Sequence, residues 1–342
     1  MNHPRLHRRA LIASGLALAA CGGRSRGEAP RGPAPPLKSL APFPVGAAVA
    51  SGSLSEPDYL ATLVRHFSQI TAEWEMKMER LLREDGSFDF TAADRLAAFA
   101  GERDLRLFGH TLVWYAQAPP AFARLLGDRA AFERAYGRYI AAVAGRYRGR
   151  VVGWDVVNEP IDDDGATLRG GYWLQALGPG YIDRAFEHAR AADSDAVLFL
   201  NDYNLEQAGK RRSFLRLAED LLTRGIPLGG LGTQCHLTLD TAPRDLAAMM
   251  RDLAGLGLPI HVSEFDVVAD GAAGADAHAR LAGALAERFA ALPQAQRFAF
   301  TTWGVRDRDS WRRREDPAQN PLLFDDAGEP KPMFWAVADA WS

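Results

Sequence analysis

Cysteine is scarce: the 342-residue chain has two, Cys21 and Cys235. Cys21 stands in an N-terminal leader and Cys235 at the end of an expected strand. An intramolecular disulfide is therefore not expected, and the fold must hold without covalent staples. An excess of either charge is also missing. The net charge is -3, which excludes the electrostatic footprint of a nucleic-acid binder. Long hydrophobic runs are missing too: the apolar stretch at residues 10–20 is too short to cross a bilayer as a helix. No internal repeat is visible beyond an alternation of short apolar runs and longer amphipathic stretches.

What is present is ordinary for a folded soluble domain. Hydrophobic residues make up 47% and charged residues 24% of the chain. The length suits one large domain, because βα barrels reach about 250 residues or more as single units. Eight tryptophans and eight tyrosines supply flat apolar rings, most of them expected in the core.

The first 21 residues read as a targeting segment. Arg5, Arg8 and Arg9 precede the apolar run, which ends in Leu18-Ala19-Ala20-Cys21. That ending is similar to a bacterial lipobox, in which the cysteine is lipidated and becomes the mature N-terminus. Arg8-Arg9 is similar to a twin-arginine export signal. The expectation is an exported, membrane-anchored lipoprotein, periplasmic or on the cell surface. Residues 22–42 are rich in Gly, Pro and Arg and read as a linker. Residues 43–342 are left for the folded domain.

From residue 43 onward the pattern predicts strands at 45–50, 68–72, 106–111, 151–157, 197–200, 230–233, 260–263 and 298–302. Helical stretches separate them, at 91–103, 130–147, 182–192, 210–223, 243–254, 276–291 and 332–341. In the first of these, Thr91 is the expected N-cap. The alternation predicts an α/β fold, a closed (β/α)8 TIM barrel, whose active site lies at the C-terminal ends of the strands. The same ends carry Glu73, His110, Asn158-Glu159, Asn201-Asp202, Gln234, His236, Glu264 and Trp303. Burying that many polar groups at one rim is costly unless they serve one another or a ligand.

Glu159 follows the fourth strand and Glu264 the seventh. On a barrel of radius about 7–8 Å, three strand steps span a chord of about 14 Å. Two inward-leaning glutamates then leave a gap of about 5–6 Å, close to the spacing used by retaining glycosidases. Glu159 is the expected acid/base and Glu264 the expected nucleophile. His236 is placed to hydrogen-bond Glu264, and Asp266 to orient that histidine. The run Asp162-Asp163-Asp164 is expected to be a solvated loop rather than a cation site.

Seven segments in order carry a family resemblance. They are Thr71-Ala72-Glu73-Trp74-Glu75-Met76-Lys77, Gly109-His110-Thr111-Leu112-Val113-Trp114, Trp154-Asp155-Val156-Val157-Asn158-Glu159, Asn201-Asp202-Tyr203-Asn204, Gln234-Cys235-His236-Leu237, Ser263-Glu264-Phe265-Asp266, and Trp303-Gly304 through Ser310-Trp311. Over roughly residues 45–341 the chain resembles the family 10 glycoside hydrolases, best known as endo-1,4-β-xylanases. The resemblance implies that Asn158 contacts the 2-hydroxyl of the sugar under attack, with His110, Gln234 and His236 around the same sugar. It places Glu73, Lys77 and Gln117 as polar contacts to glycone sugars, Trp303 and Trp311 as their walls, and Trp114 among the substrate contacts. Tyr203 is the implied stacking residue on the aglycone side. No metal or organic cofactor is implied. The implied partner is xylan or xylo-oligosaccharide, acted on by a monomer.

The chain departs from the family at Trp74, where asparagine is usual, at Tyr115-Ala116, where His-Ser is usual, and at Cys235, where a small hydroxyl residue is usual. Two further readings remain at this stage. One is the same machinery acting on short oligosaccharides or aryl β-glycosides. The other is a lipid-anchored glycan-binding protein without catalysis, disfavoured because both glutamates and their helpers are present.

Overall fold

Val45–Val49 (β1) is apolar and buried at all five positions, as a strand covered on both faces must be. Seven more strands, mostly buried, follow: Gln69–Ala72 (β2), Arg106–Gly109 (β3), Val151–Asn158 (β4), Val197–Asp202 (β5), Gly230–Thr233 (β6), Ile260–Val268 (β7) and Arg297–Thr302 (β8). Each pairs in parallel with the next. β8 returns to β1 through Val45 opposite Phe300, so the ring is closed and has no free edge. The computed structural model describes residues 32–268 and 274–342. Within it, Pro35–Ser342 form one compact unit, and the architecture is the expected (β/α)8 barrel.

The outer helices follow from their spacing. In Pro243–Ala254, Leu246, Met249, Met250 and Leu253 recur at intervals of three and four and are the buried face. Pro243 fits the first turn, where its missing N–H has no partner to lose. Inside the barrel, Phe108 of β3 meets His261 of β7 at 4.5 Å between ring centres. Phe199 of β5 meets Phe298 of β8 at 4.6 Å. This plug fills the barrel, so the space for a ligand lies beyond it at the rim. Glycine is required at 232: a Cβ there would sit 2.3 Å from Oδ1 of Asn201, a residue the site depends on.

Several details refine the sequence reading. Packing begins inside the segment read as linker, because Leu37–Leu40 forms a short helix and Leu37 is fully buried. The helix expected between β1 and β2, for which the sequence set no limits, runs over Pro57–His66. Thr91 does not cap its helix: it is the first helical residue, after Phe90 at the cap position, and its own N–H is accepted by the Asp89 carboxylate at 3.0 Å. β5 and β7 run past their expected ends, to Asp202 and Val268. The last extension has a cause. The short strand His236–Thr238 pairs with the end of β7, setting His236 beside Asp266. Val113–Trp114 pairs with the end of β4 in the same way and sets Trp114 beside Asn158. The leader, with Cys21 and residues 22–31 of the linker, lies outside the described residues. Among the described residues no helix is long and apolar enough to cross a membrane.

Candidate active site

The strand ends surround a cleft of about 490 Å³. Glu159 and Glu264 both line it, and both are more than nine-tenths buried. Lys77, His110, Trp114, Gln117, Asn158, Tyr203, Gln234, His236, Trp303 and Trp311 line it too. Two expected residues stand behind that surface. Glu73 is buried and paired with Arg314 at 3.3 Å, and Asp266 is fully buried behind His236.

The carboxylates are joined by a run of amides. Asn201 Nδ2 donates to Glu264 Oε1 and to Asn158 Oδ1, both at 2.9 Å. Gln234 Nε2 donates to Asn158 Oδ1 at 3.2 Å and to Glu159 Oε1 at 3.0 Å. Asn158 Nδ2 completes the set with a 3.2 Å bond to Glu159 Oε1. Ser263 Oγ donates to Asn201 Oδ1 at 2.8 Å and so fixes which way that amide faces. Two buried carboxyl groups held by shared, oriented amides are pre-organised for attack from one and proton delivery from the other.

The surroundings of Glu264 favour its charged form. Burial pushes its carboxyl up, but the positive potential of His110, the contact with His236 and the Lys77 ammonium outweigh burial and hold it below the ordinary value. His236 Nε2 lies 3.4 Å from Glu264 Oε2, and its Nδ1 lies 3.0 Å from Asp266 Oδ1. Burial alone would lower that histidine. Asp266 and then Glu264 overcome it and push it up to about 9. His110 Nδ1 meets Asp155 Oδ2 at 2.8 Å, and burial pushes the Asp155 carboxyl up to about 6. His110, Asp155 and Glu264 offer donor atoms within 4.8 Å of one another. The carboxylate expected to react is one of the three, and His110 is already committed to Asp155, so the cluster reads as the nucleophile and its support.

Indoles form the walls. The Lys77 ammonium lies 4.5 Å from the ring centre of Trp74, 4.9 Å from that of Trp114 and 5.8 Å from that of Trp303. Burial lowers the Lys77 amine, while Glu264, Glu73 and Glu159 push it back up. Trp311 Nε1 donates to Asp266 Oδ2 at 2.9 Å, so one carboxylate orients both a wall and a histidine. Trp74 faces the cleft rather than the core.

Several residues at the site were not singled out from sequence. Arg312 lines the cleft 4.0 Å from the Trp311 ring, and Arg314 lies 5.1 Å from the Trp74 ring. Both come from the segment after β8, whose basic run carries no motif. Asn201 has no role of its own in the sequence reading, yet it touches Glu264. Asp162–Asp164 is more than a solvated loop: Asp162 and Asp163 pair with Arg169, and Asp164 accepts the Ala166 and Thr167 N–H groups.

A buried carboxylate pair on the C-terminal rim of a barrel, in a cleft walled by indoles, defines a glycoside hydrolase. The chain belongs to glycosyl hydrolase family 10, whose model matches residues 38–340. It is 36% identical over 314 residues to the exoglucanase XynX of Acetivibrio thermocellus, covering 87% of this chain and 28% of that protein. It is 34% identical to an endo-1,4-beta-xylanase of Geobacillus stearothermophilus, covering 87% of this chain and 95% of that one. A mutant of the intracellular xylanase TsXylA from Thermoanaerobacterium saccharolyticum, solved in complex with xylotetraose, superposes with a TM-score of 0.83. The identity is 34%, over 89% of this chain and 98% of that chain. The chain spans 28% of the length of XynX and 27% of the endo-1,4-beta-xylanase A of Thermoanaerobacterium saccharolyticum, so it corresponds to one part of those proteins.

Proposed function

We propose that the protein hydrolyses β-1,4-xylosidic bonds in xylan or xylo-oligosaccharides by double displacement, with retention. The observation that carries this reading is the linked, buried pair Glu159 and Glu264, with Glu264 held in its charged form. Glu264 attacks the anomeric carbon while Glu159 gives its proton to the leaving oxygen. The bond to the aglycone breaks and a covalent glycosyl-enzyme forms. Glu159, now a carboxylate, takes a proton from water, which releases the sugar and restores Glu264. Asn158 is placed to bond the 2-hydroxyl of the reacting sugar, a contact that strengthens in the transition state. The named activities of the relatives and the xylotetraose bound to a structural neighbour support xylan as the substrate class.

A product profile tests this. The purified protein is offered glucuronoxylan, arabinoxylan, linear xylo-oligosaccharides and cellulose, with product sizes resolved and the first-formed anomer followed by NMR. β-Anomer from xylan is expected. α-Anomer, or cleavage of cellulose alone, would overturn the reading. Selective action on short oligosaccharides or aryl glycosides would favour the narrower alternative.

The leader motif supports a lipid anchor on Cys21, and so export to the periplasm or cell surface. Cys21→Ser is expected to move the protein from the membrane fraction to the soluble one in a bacterial host. A wild type already fully soluble would remove this proposal.

A further inference from the structure

Glu159 carries the proton in the proposed mechanism, and its backbone lies in the left-handed region at φ 57. A residue with a Cβ is held there against its own steric preference. Two bonds hold it. The Glu159 N–H donates to the Asn201 carbonyl at 2.7 Å, and the Glu159 carbonyl accepts from Arg169 Nε at 3.2 Å. Arg169 also pins the residues that follow. Its Nη2 donates to the Ile161 carbonyl at 3.0 Å, and its backbone N–H donates to the Pro160 carbonyl at 2.8 Å.

The same guanidinium also reaches the wall of the cleft. Nη2 donates to the Tyr203 hydroxyl at 2.7 Å and to Asp163 at 2.9 Å. The Tyr203 hydroxyl in turn donates to Asp163. The guanidinium carbon lies 4.6 Å from the Tyr115 ring centre and 5.5 Å from that of Tyr203. Tyr115, Tyr203 and Glu159 all line the cleft, whereas Arg169 is buried. A planar fork with five donors spans these partners at once; the point charge of a lysine cannot.

We propose that Arg169 is a positioning residue for Glu159. It fixes the left-handed turn that aims the acid/base and ties that turn to Tyr203. The proton donor and the wall beside the leaving group are thereby held as one body. A buried arginine that served only to neutralise the Asp162–Asp163 loop would have no need to bond the carbonyl of the acid itself. The proposal rests on the reading of Glu159 as acid/base, and its test separates the two.

The experiment compares the full chain with Arg169→Met, Arg169→Lys and Glu159→Ala. Rates are measured on dinitrophenyl and phenyl β-xylobiosides, whose leaving groups differ in their need for a proton, alongside thermal unfolding. Arg169→Met is expected to lose about 30-fold or more in glycosylation of the phenyl substrate and less than about threefold on the dinitrophenyl one. Arg169→Lys should recover part of that loss. An equal loss on both substrates, whatever the change in melting temperature, overturns the proposal. Should Arg169→Met fail to fold, Asp163→Asn takes its place. Asp163 is an exposed partner of both Arg169 and Tyr203. It should give a smaller loss, about threefold to tenfold, with the same leaving-group selectivity; no selectivity overturns the proposal. If Glu159→Ala itself shows no leaving-group dependence, the acid/base reading fails and the proposal falls with it. If Glu159→Ala behaves as an acid variant while the Arg169 variants do not, the proposal alone is wrong.

Discussion

His236 stands with Nδ1 3.0 Å from the buried carboxylate of Asp266, and this contact governs its charge. The imidazole is pushed up to about 9, against burial, by Asp266 and then by Glu264. It is therefore cationic at neutral pH and helps keep the neighbouring Glu264 ionised. Because its native value lies above the ordinary 6.5, protonation favours the folded state. That contribution is complete below about 6.5 and is lost as pH rises through about 9. His236→Asn is expected to flatten the fall in stability between these limits, read from urea midpoints against pH. Asp266→Asn should lower the histidine and raise Glu264, moving the acid limb of kcat/KM to higher pH. An unmoved acid limb would show that the pair does not tune the nucleophile.

Glu264→Ala is expected to lose about 10⁴-fold or more in turnover, because no glycosyl-enzyme can form. Azide should restore part of the rate on an activated aryl xyloside and give the inverted glycosyl azide. Near-normal turnover by the variant would contradict the nucleophile assignment.

The barrel was legible because its signals are local. Runs such as Gly230–Thr233 and Pro243–Ala254 have the same limits in the sequence reading and in the structure. Polar or indole residues closing the second to eighth strands mark the rim in the sequence itself. What stayed hidden depends on contacts between distant segments. Arg314 meets Glu73, and Arg312 approaches Asp266, from the segment after β8. No pattern in Arg312-Arg313-Arg314 distinguishes a cleft residue from a solvated one. Leu37 looked like linker because its neighbours are prolines and glycines; only the surface it packs against makes it core. Thr91 has a side chain suited to a cap, but the helix starts one residue earlier than a Thr91 cap would have it, and the Asp89 carboxylate takes the Thr91 N–H in a local turn.

Asp202 is fully buried, with Lys210 Nζ 2.9 Å from its Oδ1. Burial pushes the carboxyl up to about 7, with Lys210 and the Ile161 N–H opposing the rise. Removing the lysine leaves a buried charge whenever Asp202 is ionised. Lys210→Met is expected to destabilise by roughly 3–5 kcal/mol above that pH and by less in mild acid, where Asp202 is neutral. Adding Asp202→Asn should recover much of the loss at high pH. Denaturant titrations at the two pH values check this, and a pH-independent cost would show that packing, not charge, sets the effect.

Trp74 occupies the place where the family usually has asparagine, and the structure settles which way it faces. It lines the cleft, with the Lys77 ammonium 4.5 Å and the Arg314 guanidinium 5.1 Å from its ring centre. Glu73, beside it, is engaged by Arg314 at 3.3 Å. A ring already flanked by two cations has less free face to offer a sugar, and an indole is much larger than an amide. The expected role is obstruction of a distal glycone position. Trp74→Asn should therefore raise the ratio of kcat/KM on xylotetraose to that on an aryl xyloside by about tenfold, which corresponds to about 1.4 kcal/mol of differential binding. A ratio that falls instead would mean that the indole stacks on the sugar and that the cations sit where they leave a face open. An unchanged ratio with only a lower melting temperature would make Trp74 a packing residue, and the glycone side would then owe its selectivity to Glu73 and Lys77.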